Sequence, residues 1–368
     1  MQLRAQFLRP SGAAAWVRCA LYVAMCAAHS AESDEQDNEV REDGTACHWL
    51  ASELFEGRFH AVGSLSPNNR YITQEMFDAC DLYFDVMKEW PDVEHYAEIS
   101  MDCGIVYPGI TGTPDMWAYR PGHLRVMDLK YGFGFVEVFH NLQLTIYAIA
   151  IAQKLRLPAD TKVELIIVQP RAWSAEGDVR RWFTTVGFLC EVLVELQAAA
   201  RRAMEPNPVG NVGSWCIDCP GRLDCETFLR TTGNLIDFGH STHRVNPTPE
   251  QAASELKYVE SALALLEARK EALHTVVEHH HRNGGTTRHY RMAPTSGRES
   301  WKPGQELAVI EMARQFFNVN IAKPITPKQA RLKIPSRIVD AFADKPKTAM
   351  KLVPIGPHDV AKAFSPKE

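Results

Sequence analysis

Asp115, Asp128 and Lys130 have the types and spacing of a cation site at the end of a hairpin. Val126, Asp128 and Lys130 alternate with Met127 and Leu129, the two-residue period of a strand. Pro121-Gly122 is a turn signal between that strand and residues 116–119. With Pro121 and Gly122 as the central turn residues, Asp115 is predicted to face Asp128. Directly opposed residues have Cβ atoms roughly 4.5 to 5.5 Å apart, so two carboxylates there repel unless a cation lies between them. Hard divalent ions such as Mg²⁺ are held by oxygen clusters of this kind. Lys130 leaves the same face of the strand as Asp128, within reach of a phosphate or of a water beside the ion. A solvated surface hairpin carries the same pattern, and one bulge would shift the pairing, so the weight of the reading depends on the rest of the chain.

A second group with metal-binding spacing is Cys216, Cys219 and Cys225, a Cys-x2-Cys followed by a third cysteine. Thiolates spaced in this way bind Zn²⁺ or an iron-sulfur cluster. A fourth ligand is required, and Cys19 or Cys47 can supply it from the N-terminal region.

The elements that must position these groups follow from periodicity. Residues 13–28 form an apolar run after Arg4 and Arg9 that imitates a signal peptide, but Arg18 interrupts it and cleavage would discard Cys19. An amphipathic first helix beginning at Ser11 is the expectation. Residues 32–43 carry seven acidic residues and are expected to be a solvated linker. Asp43-Gly44-Thr45 then starts a helix over 46–56 with His48 in its first turn. A helix is predicted over 73–90 and an alternating strand over 96–103, on which Glu98 points to the site or to solvent and stays outside the assigned set. After Gly132 and Gly134 a helix over 136–155 carries Gln143 and Tyr147 on one face. Residues 163–168 read as a strand buried on both faces, 179–186 as its partner, and 188–204 as the next helix. This order predicts an α/β fold, a mixed central sheet flanked by helices. A long helix over 250–281 ends in His279-His280-His281, and residues 290–301 are expected to form a small hairpin. Residues 323–368 hold ten Lys and Arg against four Asp and Glu, a candidate DNA-contacting or disordered tail.

Composition sets bounds. At 368 residues, 45% hydrophobic and 23% charged, the chain is long enough for one elaborated domain or two modest ones. A net charge of −5 gives no global attraction for nucleic acid, so any such contact must come from local features. Nine cysteines, mostly in apolar surroundings, suit buried thiols of a reducing cytoplasm better than a disulfide framework. No stretch reaches the roughly 20 uninterrupted apolar residues of a membrane span, and no membrane partner is expected.

Taken in order, Gly44-Thr45-Ala46-Cys47-His48, Gly112-Thr113-Pro114-Asp115, Asp128-Leu129-Lys130 and Gln143-x3-Tyr147 resemble the RecB-like branch of the PD-(D/E)XK nuclease superfamily. The cysteines resemble its iron-sulfur members, similar to the AddB nuclease domain and the CRISPR-associated exonuclease, which take one cluster ligand upstream of the core and three downstream. Residues 11–19 resemble the upstream element, which favours Cys19 over Cys47. The pattern with the late Gly297-Arg298-x2-Trp301 is similar to an uncharacterised family of phage and prophage proteins. Ala20 stands where relatives often carry Pro, and Cys47 where they often carry Ala.

The resemblance implies a restriction-endonuclease-like core with a helical iron-sulfur clasp over 1–235, a helical extension with a small hairpin over 236–310, and a basic tail over 311–368. It implies that His48, Asp115 and Asp128 bind Mg²⁺ or Mn²⁺, that Lys130 orients or activates water, and that Gln143 and Tyr147 hold a DNA phosphate or the site geometry. Cys19, Cys216, Cys219 and Cys225 would hold a 4Fe-4S cluster, with zinc as the alternative. The implied activity is metal-dependent phosphodiester hydrolysis, an exonuclease acting on DNA ends or single strands in phage recombination or replication, with a phage recombination protein as partner, in the cytoplasm of a bacterial host cell. The competing expectation is a non-catalytic DNA-binding or recombination-scaffold protein on the same fold.

Overall fold

A computed structural model describes residues 2–29, 39–172, 174, 176–239, 248–296, 300–301, 306–317, 327–330, 334–344 and 347–354. The chain divides into two compact units, 1–269 and 270–368.

The first unit is built on a mixed five-stranded sheet in the order β1 (His95–Ala97), β4 (Met116–Arg120), β5 (His123–Leu129), β6 (Lys162–Val168), β7 (Val179–Thr185). Two further strands, β2 (Met101–Asp102) and β3 (Thr111–Gly112), pair with each other. All neighbours in the main sheet are antiparallel except β5 and β6, which run parallel and are joined through helix α6 (Leu142–Leu155). The β4–β5 hairpin has the register set by its turn: Met116 pairs with Met127 and Arg120 with His123, and Gly122 takes φ 76°. Only a residue without Cβ adopts that angle freely.

Strand alternation divides the core between two faces. Leu124, Val126, Val163, Leu165 and Ile167 pack toward α6 and α7 (Val186–Ala203) with the N-terminal segment. Met116, Met127, Leu129, Ile166 and Val168 pack toward α4 (Glu39–Phe55) and α5 (Gln74–Lys88). β6 is buried along all but its first residue, as its unbroken apolar run requires.

Several boundaries differ from expectation. The N-terminal segment is three short helices, α1 (Gln2–Ala5), α2 (Ala13–Trp16) and α3 (Tyr22–Ala28), with a 3₁₀ turn over Pro10–Gly12. One continuous helix is blocked because residues 209–211 take up its backbone: Leu21 N–H donates to Val209 O and Asn211 Nδ2 to Arg18 O. Helix α4 begins at Glu39, inside the acidic run, where carboxylates suit a helix N-terminus. Glu42 and Asp43 are tied to Asn68 and Arg70 rather than solvated. The acidic residues 32–38 lie outside the described residues. α6 begins at Leu142 rather than 136, because Asn141 caps it by accepting from Leu144 N–H at 3.1 Å. Helices α8 (Glu226–Gly239) and α9 (Pro249–Arg282) follow α7.

In the second unit β8 (Tyr290–Ser296) pairs with β11 (Lys347–Pro354), and β9 (Ser300–Trp301) with β10 (Ala343–Asp344). Residues 290–301 therefore do not close a hairpin on themselves. The described part of the basic segment holds α11 (Pro327–Ala330), α12 (Ser336–Phe342) and β-structure, following α10 (Glu306–Phe317). Ala313, Ala330, Ile334, Val339 and Ala343 form a small core there. Gly297 and Arg298 lie outside the described residues.

Candidate metal and cysteine sites

The carboxyl end of β5 gathers side chains from both faces of the sheet. Asp115 stands one residue before β4, and its Oδ2 accepts the Leu129 backbone N–H at 2.7 Å, which fixes the carboxylate across the hairpin. From α4, His48 brings Nδ1 to 3.5 Å from that same Oδ2. Glu98, which follows β1, completes the group: ligand atoms of His48, Glu98 and Asp115 all lie within 4.8 Å of one another. Glu98 has φ 51°, a conformation uncommon for a residue with Cβ, and its N–H donates to Asp115 O at 3.2 Å. This kink splits the expected strand over 96–103 into β1 and β2 and turns Glu98 toward the site. Sequence alternation missed it, because no glycine or proline marks the break.

Although Glu98 is exposed as a residue, it lines a pocket together with His48, Tyr83, Asp115 and Leu129. Lost solvation there, followed by repulsion from Asp115, raises the Glu98 pKa to about 7. Tyr83 is a second residue not singled out from the sequence. It is buried, its hydroxyl has no hydrogen-bond partner among the described residues, and burial followed by the Asp115 charge pushes its pKa well up.

Asp128 is 2% exposed and stands on the α6 side of β5. Its Oδ1 accepts from Lys130 Nζ at 3.1 Å and from Gln143 Nε2 at 3.2 Å, while Lys130 Nζ also donates to Gln143 Oε1 at 3.2 Å. Oδ2 is 2.9 Å from the ammonium but receives no aligned hydrogen bond, leaving a buried acceptor without a directed donor. Burial raises the Asp128 pKa against the opposing pull of Lys130. For Lys130 burial disfavours the charge, but the Asp128 and Asp115 carboxylates outweigh it and hold the ammonium protonated. Tyr147 lies one helical turn from Gln143, is buried, and has its pKa pushed up chiefly by that burial.

Thus His48 and Asp115 come together as expected of ligands, Glu98 joins them, and Asp128 is drawn into the Lys130–Gln143 pair beside them. The donor set of carboxylates and an imidazole suits a divalent cation such as Mg²⁺ or Mn²⁺.

The cysteines converge elsewhere in the first unit. Cys19, Cys216, Cys219 and Cys225 line one pocket with Tyr22, Met25 and Trp215. Cys19 Sγ accepts the Asn211 N–H at 3.3 Å, so the segment before the trio reaches the upstream thiol directly. Burial pushes the Cys216 pKa up and that of Cys219 up to about 12, and a cation among them is what would hold them as thiolates. Cys47 is away from this group: it is buried against Cys80, whose Sγ lies 3.9 Å from the Cys47 carbonyl oxygen.

Among the described residues no helix is long and apolar enough to cross a membrane. No curated protein matches the chain. The crystal structure of SSO0001 is similar at 14% identity over 60% of this chain and 85% of that one, with a TM-score of 0.30, too low to support an argument. Residues 6–357 match the family described as protein of unknown function (DUF2800), and the chain belongs to that family.

Proposed function

We propose that the chain is a divalent-metal-dependent DNA nuclease of the RecB-like PD-(D/E)XK type that hydrolyses phosphodiester bonds. The observation carrying this reading is two groups at the end of β5 that feel each other's charge: the His48–Glu98–Asp115 cluster and the Asp128–Lys130–Gln143 trio. His48, Glu98 and Asp115 would hold Mg²⁺ or Mn²⁺, and Asp128, outside that trio of ligand atoms, adds a carboxylate whose charge is felt by Asp115 and His48. Bound there, the ion would supply Lewis acidity toward a phosphoryl oxygen and lower the pKa of water. Asp128 and Gln143 hold the Lys130 ammonium in one place, so its positive charge and proton face the anionic phosphodiester without reorganising. Gln143 in turn lies within hydrogen-bonding reach of the Tyr147 hydroxyl one helical turn away.

We assign Cys19, Cys216, Cys219 and Cys225 to an iron-sulfur cluster. Three closely spaced thiols joined by a fourth from far upstream match the arrangement of the iron-sulfur proteins that the sequence resembles, and zinc is the alternative for the same four thiols. Phosphodiester hydrolysis transfers no electrons, so the cluster's role is to tie residues 13–28 to residues 209–228. Action on ends or single strands in phage DNA recombination is the biological setting we propose.

The test is incubation of anaerobically purified protein with end-labelled DNA and Mg²⁺ or Mn²⁺. Release of labelled product that disappears in Asp128→Ala and Lys130→Ala supports the site, and unchanged cleavage in both variants overturns it. DNA binding without cleavage across metals and DNA forms would favour the non-catalytic reading.

A further inference from the structure

The loop leaving Lys130 holds its aromatic rings outward in a way that its local packing enforces. Phe133, Phe135 and Phe139 are 57%, 53% and 59% exposed, although burying a phenylalanine is favourable by about 1.5–3 kcal/mol. A collapsed loop would hide them. It is kept from collapsing by Gln169, a fully buried side chain whose Nε2 donates to Gly132 O at 3.0 Å and to Gly134 O at 2.7 Å. Gln169 Oε1 accepts from Val136 N–H at 3.1 Å and from Arg180 Nη2 at 2.6 Å. Three of the four hydrogen bonds of this amide go to the loop, and the fourth comes from Arg180 on β7.

Two guanidinium groups back the rings. The Arg171 Cζ lies 3.9 Å from the Phe133 ring centroid and 4.5 Å from that of Tyr131, and Arg180 Cζ lies 4.6 Å from that of Phe135. Phe133 and Phe135 therefore each have a cation on one side and solvent against much of the rest, whereas Phe139 packs against His140 and Trp182. The exposed large apolar residues of this loop are all phenylalanines, since Val138 is buried and Val136 and Leu142 are partly buried. An aliphatic protein-docking patch would not be so restricted. Three residues of chain span at most about 11 Å, so Phe133 is tethered close to Lys130.

We infer that Phe133 and Phe135 form a stacking platform for the unpaired bases of a single-stranded nucleic acid, next to the Asp128–Lys130 site. This inference rests on the nuclease reading for its setting, but it concerns how the strand is held. Aromatic faces accept any base by stacking, and such contacts carry sequence-tolerant binding to single strands. Charge alone does not account for binding here: Arg171 is paired with Glu75 at 3.1 Å, Glu137 lies in the loop, and the whole chain carries −5. Affinity at this surface must come from the bases more than from the phosphates.

The test is fluorescence anisotropy with labelled oligothymidylate and an abasic oligonucleotide of equal length, with no divalent ion added so that nothing is hydrolysed. Wild-type protein is expected to bind the base-bearing strand at least about tenfold more tightly than the abasic one. The Phe133→Ala, Phe135→Ala double variant should lose roughly 10- to 100-fold in oligothymidylate affinity and stop discriminating the two. The Phe133→Tyr, Phe135→Tyr variant should keep both properties, which separates ring loss from misfolding. Equal wild-type affinity for the two strands, or unchanged binding in the alanine variant, overturns the platform. The latter would also be the result if the rings serve an apolar protein partner. Base-dependent binding in a wild-type protein that fails to cleave with Mg²⁺ or Mn²⁺ would instead overturn the nuclease reading and leave the platform standing.

Discussion

The Asp115 carboxylate accepts the Leu129 backbone N–H at 2.7 Å and meets His48 Nδ1 at 3.5 Å through the same oxygen, so one atom joins hairpin and helix α4 at the candidate metal site. Substitution at either residue should therefore act on metal binding directly. His48→Ala and Asp115→Ala are each expected to weaken Mn²⁺ binding by at least about tenfold, since even outer partners of metal ligands are worth 10- to 100-fold. Calorimetric titration of metal into the purified variants checks this, and near-wild-type affinity in both would remove the cluster from consideration.

Asp128 and Lys130 form a pair that is costly to halve. Lys130→Met leaves a carboxylate that is 2% exposed without its cation and should destabilise the first unit by roughly 2–4 kcal/mol near neutral pH. Asp128→Asn keeps a group that Gln143 can bond and should cost less. Urea denaturation midpoints at unchanged slope compare the two. Because burial already raises the Asp128 pKa, the penalty in Lys130→Met should shrink as pH falls and the carboxyl group becomes neutral.

Glu98 gives a pH dependence with a definite sign. Its pKa is raised in the fold to about 7 from an ordinary value of 4.5, so between those pH values the folded chain binds more protons than the unfolded one. Metal-free stability from this group is thus present at and below the lower value and is lost as pH rises through about 7. Metal binding must displace that proton, so Mn²⁺ affinity should rise with pH up to about 7 and then level. Glu98→Gln should flatten the dependence. Titrations of Mn²⁺ across this range, wild type beside variant, decide the matter.

The cysteine pocket predicts an asymmetry between two buried thiols. Cys216→Ser should lose iron and acid-labile sulfide and lower the melting temperature, because ligation contributes folding energy. Cys47→Ser should retain both, since Cys47 packs against Cys80 instead. Iron and sulfide determinations per chain report the outcome, and stoichiometric zinc in colourless protein would reassign the metal.

Gly112 supplies a steric prediction. A Cβ there would come within 2.7 Å of Tyr147 Cε1 and 2.8 Å of Pro10 Cγ. Gly112→Ala should cost about 1–3 kcal/mol as these rings give way. It should also reduce any cleavage, because Tyr147 supports Gln143. A stability loss without change in cleavage would detach Tyr147 from the site.

The hairpin was legible because its register is local: Pro121-Gly122 fixes the turn, and alternation then fixes which residues oppose. The buried strand β6 and the pairing of Gln143 with Tyr147 on α6 were legible for the same reason, a period visible within a few residues. Glu98 was not, since its kink is imposed by the Asp115 carbonyl, a partner seventeen positions on. Nor was the true start of α6, because residues 132–136 are held in a loop by Gln169, which no local pattern announces. The convergence of four cysteines came from resemblance and not from spacing, which left Cys19 and Cys47 equivalent.

The cysteine pocket also dictates an order of events in synthesis. Cys19 leaves the ribosome early, whereas Asn211, whose amide meets its sulfur, is 192 residues later in the chain. At roughly 5–20 residues per second, that thiol waits on the order of 10–40 s before its pocket can exist. During that interval the sheet can form while Cys19 stands open to oxidation. Under the iron-sulfur reading proposed above, cluster loading would be a late step, open only once residues 209–225 have been made and brought to Cys19.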